Sequence, residues 1–94
     1  MANYKELLSS ITTFIFDFDG VMTDGGVIMS NEGEPLRITN VKDGYALQLA
    51  RRMGYRVAVI SGAKADSMMQ RLKMLKVEDV FLGVRDKKQV YMDY

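Results

Sequence analysis

Two aspartates, Asp17 and Asp19, follow a run of β-branched and aromatic residues that begins at Thr12. Ionised carboxylates beside an apolar strand are costly to remove from water unless a metal, a cation or a reacting group binds them. Carboxylates can also act as nucleophiles and as general acids or bases. The pair therefore indicates metal binding or catalysis, and a solubilising role at the end of a strand is the less favoured interpretation.

The composition narrows the chemistry that these carboxylates could support. The 94 residues include neither histidine nor cysteine, which excludes imidazole bases, thiolate nucleophiles and disulfides. A site built from oxygen ligands favours Mg²⁺. The formal net charge of +1 gives no general attraction to nucleic acid or to a membrane surface. We expect a cytoplasmic protein without a membrane span.

Further polar groups follow two later apolar segments. Ser61 and Gly62 come directly after Arg56–Ile60, and Lys87 lies shortly after Asp79–Leu82. In an open α/β sheet, ligands bind at the edge where the carboxyl ends of parallel strands meet. Two carboxylates, a hydroxyl with the amides of a helix N-terminus, and an ammonium at that edge would suit a phosphate and Mg²⁺.

The elements that must position these groups alternate between strand and helix. Alternation of this kind predicts an α/β fold, here a three-layer, Rossmann-like parallel sheet in a single domain of residues 1–94 that ends after its third strand. The predicted buried strands are Thr12–Phe16, Arg56–Ile60 and Asp79–Leu82.

Helices are predicted from polar caps and from apolar residues at helical spacing. Asp43 is the expected N-cap of the helix after the first strand, and Asp86 is that of the last helix. Asn3 is expected to cap a short helix that ends at Leu8. The expected buried residues are Ala46, Leu49, Ala50 and Met53 in the first of the crossover helices, and Ala65, Met68, Met69, Leu72 and Leu75 in the second.

A β-hairpin, at about residues 26–40, is predicted between the carboxylates and the first crossover helix. Two extended segments, Val27–Ser30 and Leu36–Thr39, flank a polar loop in which Gly33 can adopt a positive φ. Asp24 precedes two glycines and is more typical of a turn than of catalysis. Because the hairpin follows the carboxylates so closely, we expect it to stand over them.

The segment Phe16–Gly25 resembles the first motif of the haloacid dehalogenase superfamily of phosphotransferases, and Ser61 and Lys87 resemble its second and third motifs. Within that superfamily, the hairpin and the segment Asn40–Tyr45 are similar to the 3-deoxy-D-manno-octulosonate 8-phosphate phosphatases, which are capless, tetrameric members. The resemblance covers essentially the whole chain, in the same order and with the same spacing.

The resemblance implies a Mg²⁺-dependent phosphomonoesterase that acts on a sugar-acid phosphate, above all 3-deoxy-D-manno-octulosonate 8-phosphate. Asp17 would form an aspartyl-phosphate intermediate. Asp19 would protonate the leaving alcohol and then activate water. The Asp17 carboxylate and the Asp19 backbone carbonyl would hold the metal, while Ser61, Gly62 and Lys87 would bind phosphoryl oxygens. A homotetramer is also implied, with a neighbour helping to close each site.

The sequence departs from the family pattern in two places. It ends at Tyr94, before the acidic fourth motif that supplies a further metal carboxylate, so we expect a fragment of a longer phosphatase and a poor catalyst. Ala63 stands where the sugar-acid phosphatases carry a charged residue, which leaves the sugar open. The alternatives are a non-catalytic oligomerisation module and an inactive fragment. A stable phosphoacceptor switch is disfavoured because Asp19 would speed loss of the phosphoryl group.

Overall fold

A computed structural model describes residues 7–94 of the chain. The helix predicted at its start falls outside the described residues except for Leu7 and Leu8, which are helical. The strands are β1 (Thr13–Phe16), β2 (Ile28–Met29), β3 (Pro35–Leu36), β4 (Arg56–Ile60) and β5 (Asp79–Phe81), and the helices are α1 (Val41–Arg52), α2 (Asp66–Met74) and α3 (Lys87–Asp93). No helix within residues 7–94 is long and apolar enough to cross a membrane.

The larger sheet is parallel, with the strand order β1-β4-β5. Phe16 lies opposite Val59, and Val59 lies opposite Val80. Each pair of neighbouring strands is joined through a helix, as parallel pairing requires, and this confirms the predicted α/β arrangement. β4 has a neighbour on each side and is buried from Val57 to Ile60, whereas the edge strand β1 is half-buried.

The two faces of the sheet carry different helices. Val57 and Val59 belong to a core cluster that also includes Leu47 of α1 and Leu72 of α2. Side chains alternate along a strand, so Ile60 points to the other face, where it shares a groove with Tyr91 of α3. The sheet is therefore covered on both faces, which gives three layers.

Strand bounds were predicted most accurately in the sheet interior. β4 has the predicted ends, and β1 and β5 are each one residue shorter than predicted. The hairpin strands β2 and β3 have two residues each, and β3 begins at Pro35, where the sheet needs no backbone donor. Gly33 adopts the expected positive φ, at 85°.

Asn40, and not Asp43, caps α1, so the predicted cap was wrong. The Asn40 side chain accepts a hydrogen bond from the Lys42 amide at 2.7 Å. The helix therefore begins at Val41 and places Asp43 in its first turn. A carboxylate in that position still interacts favourably with the positive end of the helix dipole, which explains why the residue suggested a helix start.

The buried face of α1 also differs from the prediction. Gly44 and Leu47 are its buried residues. Of the four residues expected to be buried, Ala50 packs against the core, whereas the others are exposed: Ala46, Leu49 and Met53. The prediction was more accurate for α2 and the residues at its ends. Four of the five residues expected to be buried are buried, namely Ala65, Met68, Leu72 and Leu75, and only Met69 is exposed.

Gly44 accounts for the different face of α1. A Cβ atom at this position would lie 2.8 Å from Nη2 of Arg71 and 2.9 Å from a methyl carbon of Leu75. The missing side chain thus lets α1 approach the following helix closely. Apolar spacing could not reveal this, because a glycine adds nothing to a hydrophobic pattern.

Replacing Gly44 with valine should therefore destabilise the fold. The new side chain would force Arg71 and Leu75 to move, and overpacking of this kind typically lowers the free energy of unfolding by about 1–3 kcal/mol. Urea denaturation followed by circular dichroism measures the change.

Ala46→Val is the matched control, because Ala46 is exposed on the same helix. It reports the helix propensity of valine, which costs at most about 0.7 kcal/mol. Equal losses of stability in the two variants would contradict a close approach at Gly44.

Candidate active site

Phe18 anchors the loop that carries the two carboxylates. Its side chain is almost fully buried in the core. Its backbone carbonyl accepts hydrogen bonds from the amides of Met22 at 2.8 Å and Thr23 at 3.3 Å. Because successive side chains alternate at the end of a strand, the residues on either side of Phe18 are turned away from the core. Asp17 and Asp19 are accordingly only half-buried.

A buried threonine closes this loop. The Thr23 hydroxyl oxygen accepts hydrogen bonds from the amides of Gly20 at 3.2 Å and Gly25 at 3.1 Å. The next residue, Asp24, accepts a hydrogen bond from the Gly26 amide at 2.8 Å. Asp24 thus has the turn role that the sequence predicts, and the loop is held by its own side chains.

Asp17 pairs with Lys87, which lies 70 positions further along the chain. The Lys87 ammonium donates to Oδ2 of Asp17 at 2.7 Å, and the Phe18 amide donates to Oδ1, also at 2.7 Å. The lysine begins α3, whose N-cap is Asp86 as predicted. The hydrogen bond from Lys87 is the main reason why the pKa of Asp17 lies below its usual value; partial burial opposes this shift and the Phe18 amide adds to it. Asp17 is therefore an anion at neutral pH, as a carboxylate nucleophile must be.

The far end of α3 is fixed to the sheet by Tyr94. Its hydroxyl donates to Oδ2 of Asp79 at 2.6 Å, and its ring meets that of Phe81 edge-on, with 5.8 Å between the centroids. Burial raises the pKa of the Tyr94 hydroxyl, and the hydrogen bond to Asp79 raises it further. These contacts tie down a seven-residue helix at one end, and so help to place Lys87 at the other.

Asp19 pairs with Arg37, a residue that the sequence interpretation missed. Nε of Arg37 lies 2.6 Å from Oδ1 of Asp19, and Nη2 lies 3.3 Å from Oδ2. The Arg37 side chain is only 9% exposed. One signal could have found it: Arg37 stands between Leu36 and Ile38, and the period of a strand turns it to the opposite side.

Ser61 lies at the expected edge of the sheet, but its local setting differs from the prediction. α2 begins at Asp66, so Ser61 and Gly62 do not lie at a helix N-terminus, and that expectation was wrong. Ser61 is 1% exposed, and its hydroxyl oxygen accepts a hydrogen bond from the Ala63 amide at 3.2 Å. Gly62 is exposed beside it.

The structure thus brings four charged side chains to the carboxyl end of the sheet in two ion pairs. An open groove of about 240 Å³ adjoins the first pair, and it is lined by Asp17, Lys87, Ile15, Phe16, Ile60 and Tyr91. Lys88, the neighbour of Lys87, is exposed. The arrangement offers an anionic oxygen nucleophile, a second carboxylate, and an ammonium group within hydrogen-bond distance of the nucleophile.

The donor set at this edge fits Mg²⁺. Asp17 and Asp19 carry hard oxygen donors of the kind that Mg²⁺ binds, and their side chains remain 39% and 38% exposed, which leaves room for water. Mg²⁺ is commonly held by one or two carboxylates together with water and substrate phosphate. Within residues 7–94, no group of three or more Asp, Glu, His or Cys residues could hold a metal ion.

Comparisons with known proteins point to one family. The 3-deoxy-D-manno-octulosonate 8-phosphate phosphatase of Yersinia pestis is 36% identical over 83 residues, which are 88% of this chain and 44% of that protein. A crystal structure of that phosphatase from Yersinia pestis superposes with a TM-score of 0.89 at 34% identity, covering 94% of this chain and 48% of the other. A haloacid dehalogenase superfamily hydrolase from Legionella pneumophila gives a TM-score of 0.87 at 32% identity, over 96% and 51% of the two chains.

The chain is homologous to the haloacid dehalogenase phosphatases. It has their α/β fold, which confirms the fold class and the resemblance expected from the motifs. No protein-family model matches it. The chain spans a little under half the length of the curated phosphatases that it matches.

One further similar structure contains bound ligands. The 3-deoxy-D-manno-octulosonate 8-phosphate phosphatase of Moraxella catarrhalis was crystallised in complex with a magnesium ion, a phosphate ion and a KDO molecule. It matches with a TM-score of 0.86 at 28% identity, over 97% of this chain and 54% of that one.

Removing the Lys87 ammonium should raise the pKa of Asp17. In a Lys87→Met variant, the carboxylate loses the hydrogen bond that contributes most to its lowered pKa. Side-chain ¹³C shifts of Asp17 in the metal-free protein, followed by NMR against pH, measure this change. Lys88→Met is the matched control and should leave the titration unchanged. The same midpoint for both variants would show that Lys87 does not perturb Asp17.

The ion pair between Asp17 and Lys87 also makes the free energy of unfolding depend on pH under acidic conditions. The pKa of folded Asp17 lies below the ordinary value of 3.8, so the pair stabilises the fold fully above that pH. This contribution is lost as the pH falls through the lowered pKa. The stability of Lys87→Met should accordingly fall less steeply with acid than that of the parent protein, in urea denaturation at a series of pH values. Equally steep curves would contradict this.

Proposed function

We propose that the chain supplies part of the active site of a Mg²⁺-dependent phosphomonoesterase of the cytoplasm, with 3-deoxy-D-manno-octulosonate 8-phosphate as substrate, and that these 94 residues alone are a poor catalyst. The observation that carries the proposal is the ionised Asp17, paired with Lys87 on the same edge of the sheet as Asp19. The homologous phosphatases support the reaction class. The magnesium, phosphate and KDO bound to the Moraxella catarrhalis relative support the cofactor and the substrate.

In the first step, an Asp17 carboxylate oxygen attacks the phosphorus atom. The bond from phosphorus to the sugar oxygen breaks, and an aspartyl-phosphate forms on Asp17. The Lys87 ammonium, which contacts this carboxylate in the resting protein, neutralises charge that develops on the phosphoryl oxygens. Asp19, in its protonated form, gives its proton to the leaving sugar oxygen.

In the second step, water releases the phosphate. Asp19, now a carboxylate, accepts a proton from the attacking water molecule. The oxygen of that water binds phosphorus, the bond from phosphorus to Asp17 breaks, and inorganic phosphate leaves. Asp17 returns to its ionised form and Asp19 is again protonated. One residue of this chain therefore serves as the acid and then as the base.

Further groups would hold the phosphate and the metal. The Asp17 carboxylate and the Asp19 backbone carbonyl would bind Mg²⁺, which supplies positive charge to the transferring phosphoryl group when it is present. The Gly62 amide lies on an exposed residue, and the Ser61 hydroxyl accepts a hydrogen bond from Ala63, so it keeps its own proton to donate. Both are proposed to bind phosphoryl oxygens.

The hairpin, at about residues 26–40 of the single domain, is proposed to form the interface of a homotetramer. Its apolar side chains are exposed, and a group of exposed apolar side chains is typical of a site that binds another chain. The residues concerned are Val27, Ile28, Met29, Leu36 and Ile38. The same exposed surface supports a second candidate function, a non-catalytic oligomerisation module, which would form tetramers without hydrolysing phosphate.

Replacing Asp17 with asparagine should abolish hydrolysis of 3-deoxy-D-manno-octulosonate 8-phosphate. The variant lacks the anionic nucleophile, and the loss of a nucleophile lowers kcat by more than about 10³-fold. Phosphate release in the presence of Mg²⁺ measures the rate. Asp93→Asn, at the end of α3, is the control and should keep the parent rate.

Circular dichroism and size-exclusion chromatography should show that Asp17→Asn stays folded with the parent oligomeric state. If the variant retained appreciable activity, the nucleophile assignment would be wrong. If a longer chain that includes the acidic fourth motif formed tetramers but still released no phosphate, the oligomerisation module would be the better description.

Removing the metal should stop turnover reversibly. Chelation with EDTA is expected to abolish phosphate release, and added Mg²⁺ is expected to restore it, because the carboxylate donors favour a hard cation. Isothermal titration of Mg²⁺ into the metal-free protein gives a second measure, and Asp17→Asn should bind the ion more weakly. Full activity after chelation would refute the metal requirement.

A further inference from the structure

Arg37 joins the hairpin to the carboxylate loop. It follows directly after β3, and its Nη1 atom lies 3.5 Å from the Pro35 carbonyl oxygen of the same strand. The remaining guanidinium nitrogens, Nε and Nη2, face the two oxygens of Asp19, 18 positions earlier in the chain. The guanidinium is thus held on one side by the hairpin backbone and on the other by the proposed acid and base.

The contact fixes the direction of the Asp19 carboxylate as well as its position. A planar guanidinium that meets both oxygens of a carboxylate sets the plane of that group, which a single ammonium contact does not. The Asp19 carboxylate cannot rotate without breaking at least one of the two hydrogen bonds. Its side chain nevertheless remains 38% exposed, so another reactant can still approach it.

Packing alone does not explain a charged residue here. Taking an arginine out of water carries a penalty that an apolar residue of similar size avoids. The hairpin has apolar side chains on either side, Leu36 and Ile38, yet both are exposed while Arg37 is 9% exposed. The hairpin therefore directs its charged side chain, rather than its apolar ones, toward the site.

We propose that Arg37 is a positioning residue that orients the Asp19 carboxylate and makes its orientation depend on the docking of the hairpin. This inference rests on the proposed phosphatase function, in which Asp19 transfers a proton to the leaving group. Without Arg37, a leaving group that requires a proton should depart slowly. A leaving group that is stable as an anion should be affected little.

The first test compares two substrates in the first turnover of an Arg37→Gln variant. With 3-deoxy-D-manno-octulosonate 8-phosphate, whose sugar alkoxide needs a proton, the rate of alcohol release should fall by about 10–100-fold, part of what a general acid typically supplies. With p-nitrophenyl phosphate, whose phenolate leaves unprotonated, release in the first turnover should stay near the parent rate. Rapid-quench and stopped-flow measurements give these rates.

Two further variants sharpen this test. Arg37→Lys keeps the charge but lacks the planar guanidinium. Like Arg37→Gln, it should release alcohol more slowly from the sugar phosphate and should keep the parent rate with p-nitrophenyl phosphate. Arg52→Gln is the matched control, because Arg52 is exposed in α1, and it should match the parent with both substrates. Equal losses with both substrates in Arg37→Gln would indicate a merely structural role, and no loss with either would also overturn the inference.

A second measurement does not depend on turnover. Hydrogen exchange of the hairpin amides should accelerate in Arg37→Gln and in Asp19→Asn, and the double variant should exchange no faster than either single variant. Additive effects, or no effect, would overturn the coupling between the hairpin and Asp19. If the parent protein hydrolysed neither substrate, the proposed function would fail, and this exchange experiment would still decide whether Arg37 couples the two segments.

Discussion

The burial of Phe18 is the constraint on which the site depends. A phenylalanine that moves from water into a core stabilises the fold by about 1.5–3 kcal/mol. Phe18 lies between two carboxylates, which are too costly to remove from water to be buried with it. Its anchoring turns Asp17 and Asp19 toward the rim of the sheet. Their charges are then met by cations from distant segments, 70 and 18 positions away. The site is therefore a product of the folded chain rather than of the loop alone.

Much of this arrangement could be predicted because it follows from topology. Parallel strands joined through helices bring their carboxyl ends to one edge, so the approach of Lys87 to Asp17 follows from strand order without any knowledge of side-chain packing. The bounds of β4 and the cap at Asp86 could be predicted from local signals. These are a continuous apolar run for the strand and a carboxylate directly before the helix. The homologous structures confirm the fold class that these signals indicated.

The remaining features depend on contacts that a one-dimensional pattern does not contain. The buried face of α1 is determined by a missing side chain at Gly44, and three of the four apolar residues expected to be buried are instead exposed. Ser61 lies at the predicted edge of the sheet, but α2 begins five residues after it, so the Ser61 hydroxyl accepts a hydrogen bond from the Ala63 amide and does not lie at a helix N-terminus. Arg37 was missed because a lone arginine between apolar neighbours in an extended segment is typical of a solvent-exposed face.

The two ion pairs have a consequence for how an anion reaches the site. Asp17 and Asp19 are each paired with one cation, so the four side chains together carry no net charge when both carboxylates are ionised. The chain as a whole carries a formal charge of only +1. A phosphate dianion approaching the metal-free protein thus meets little long-range attraction or repulsion. Under the proposed function, its capture would rely on hydrogen bonds formed at contact distance, and its association rate should depend only weakly on ionic strength.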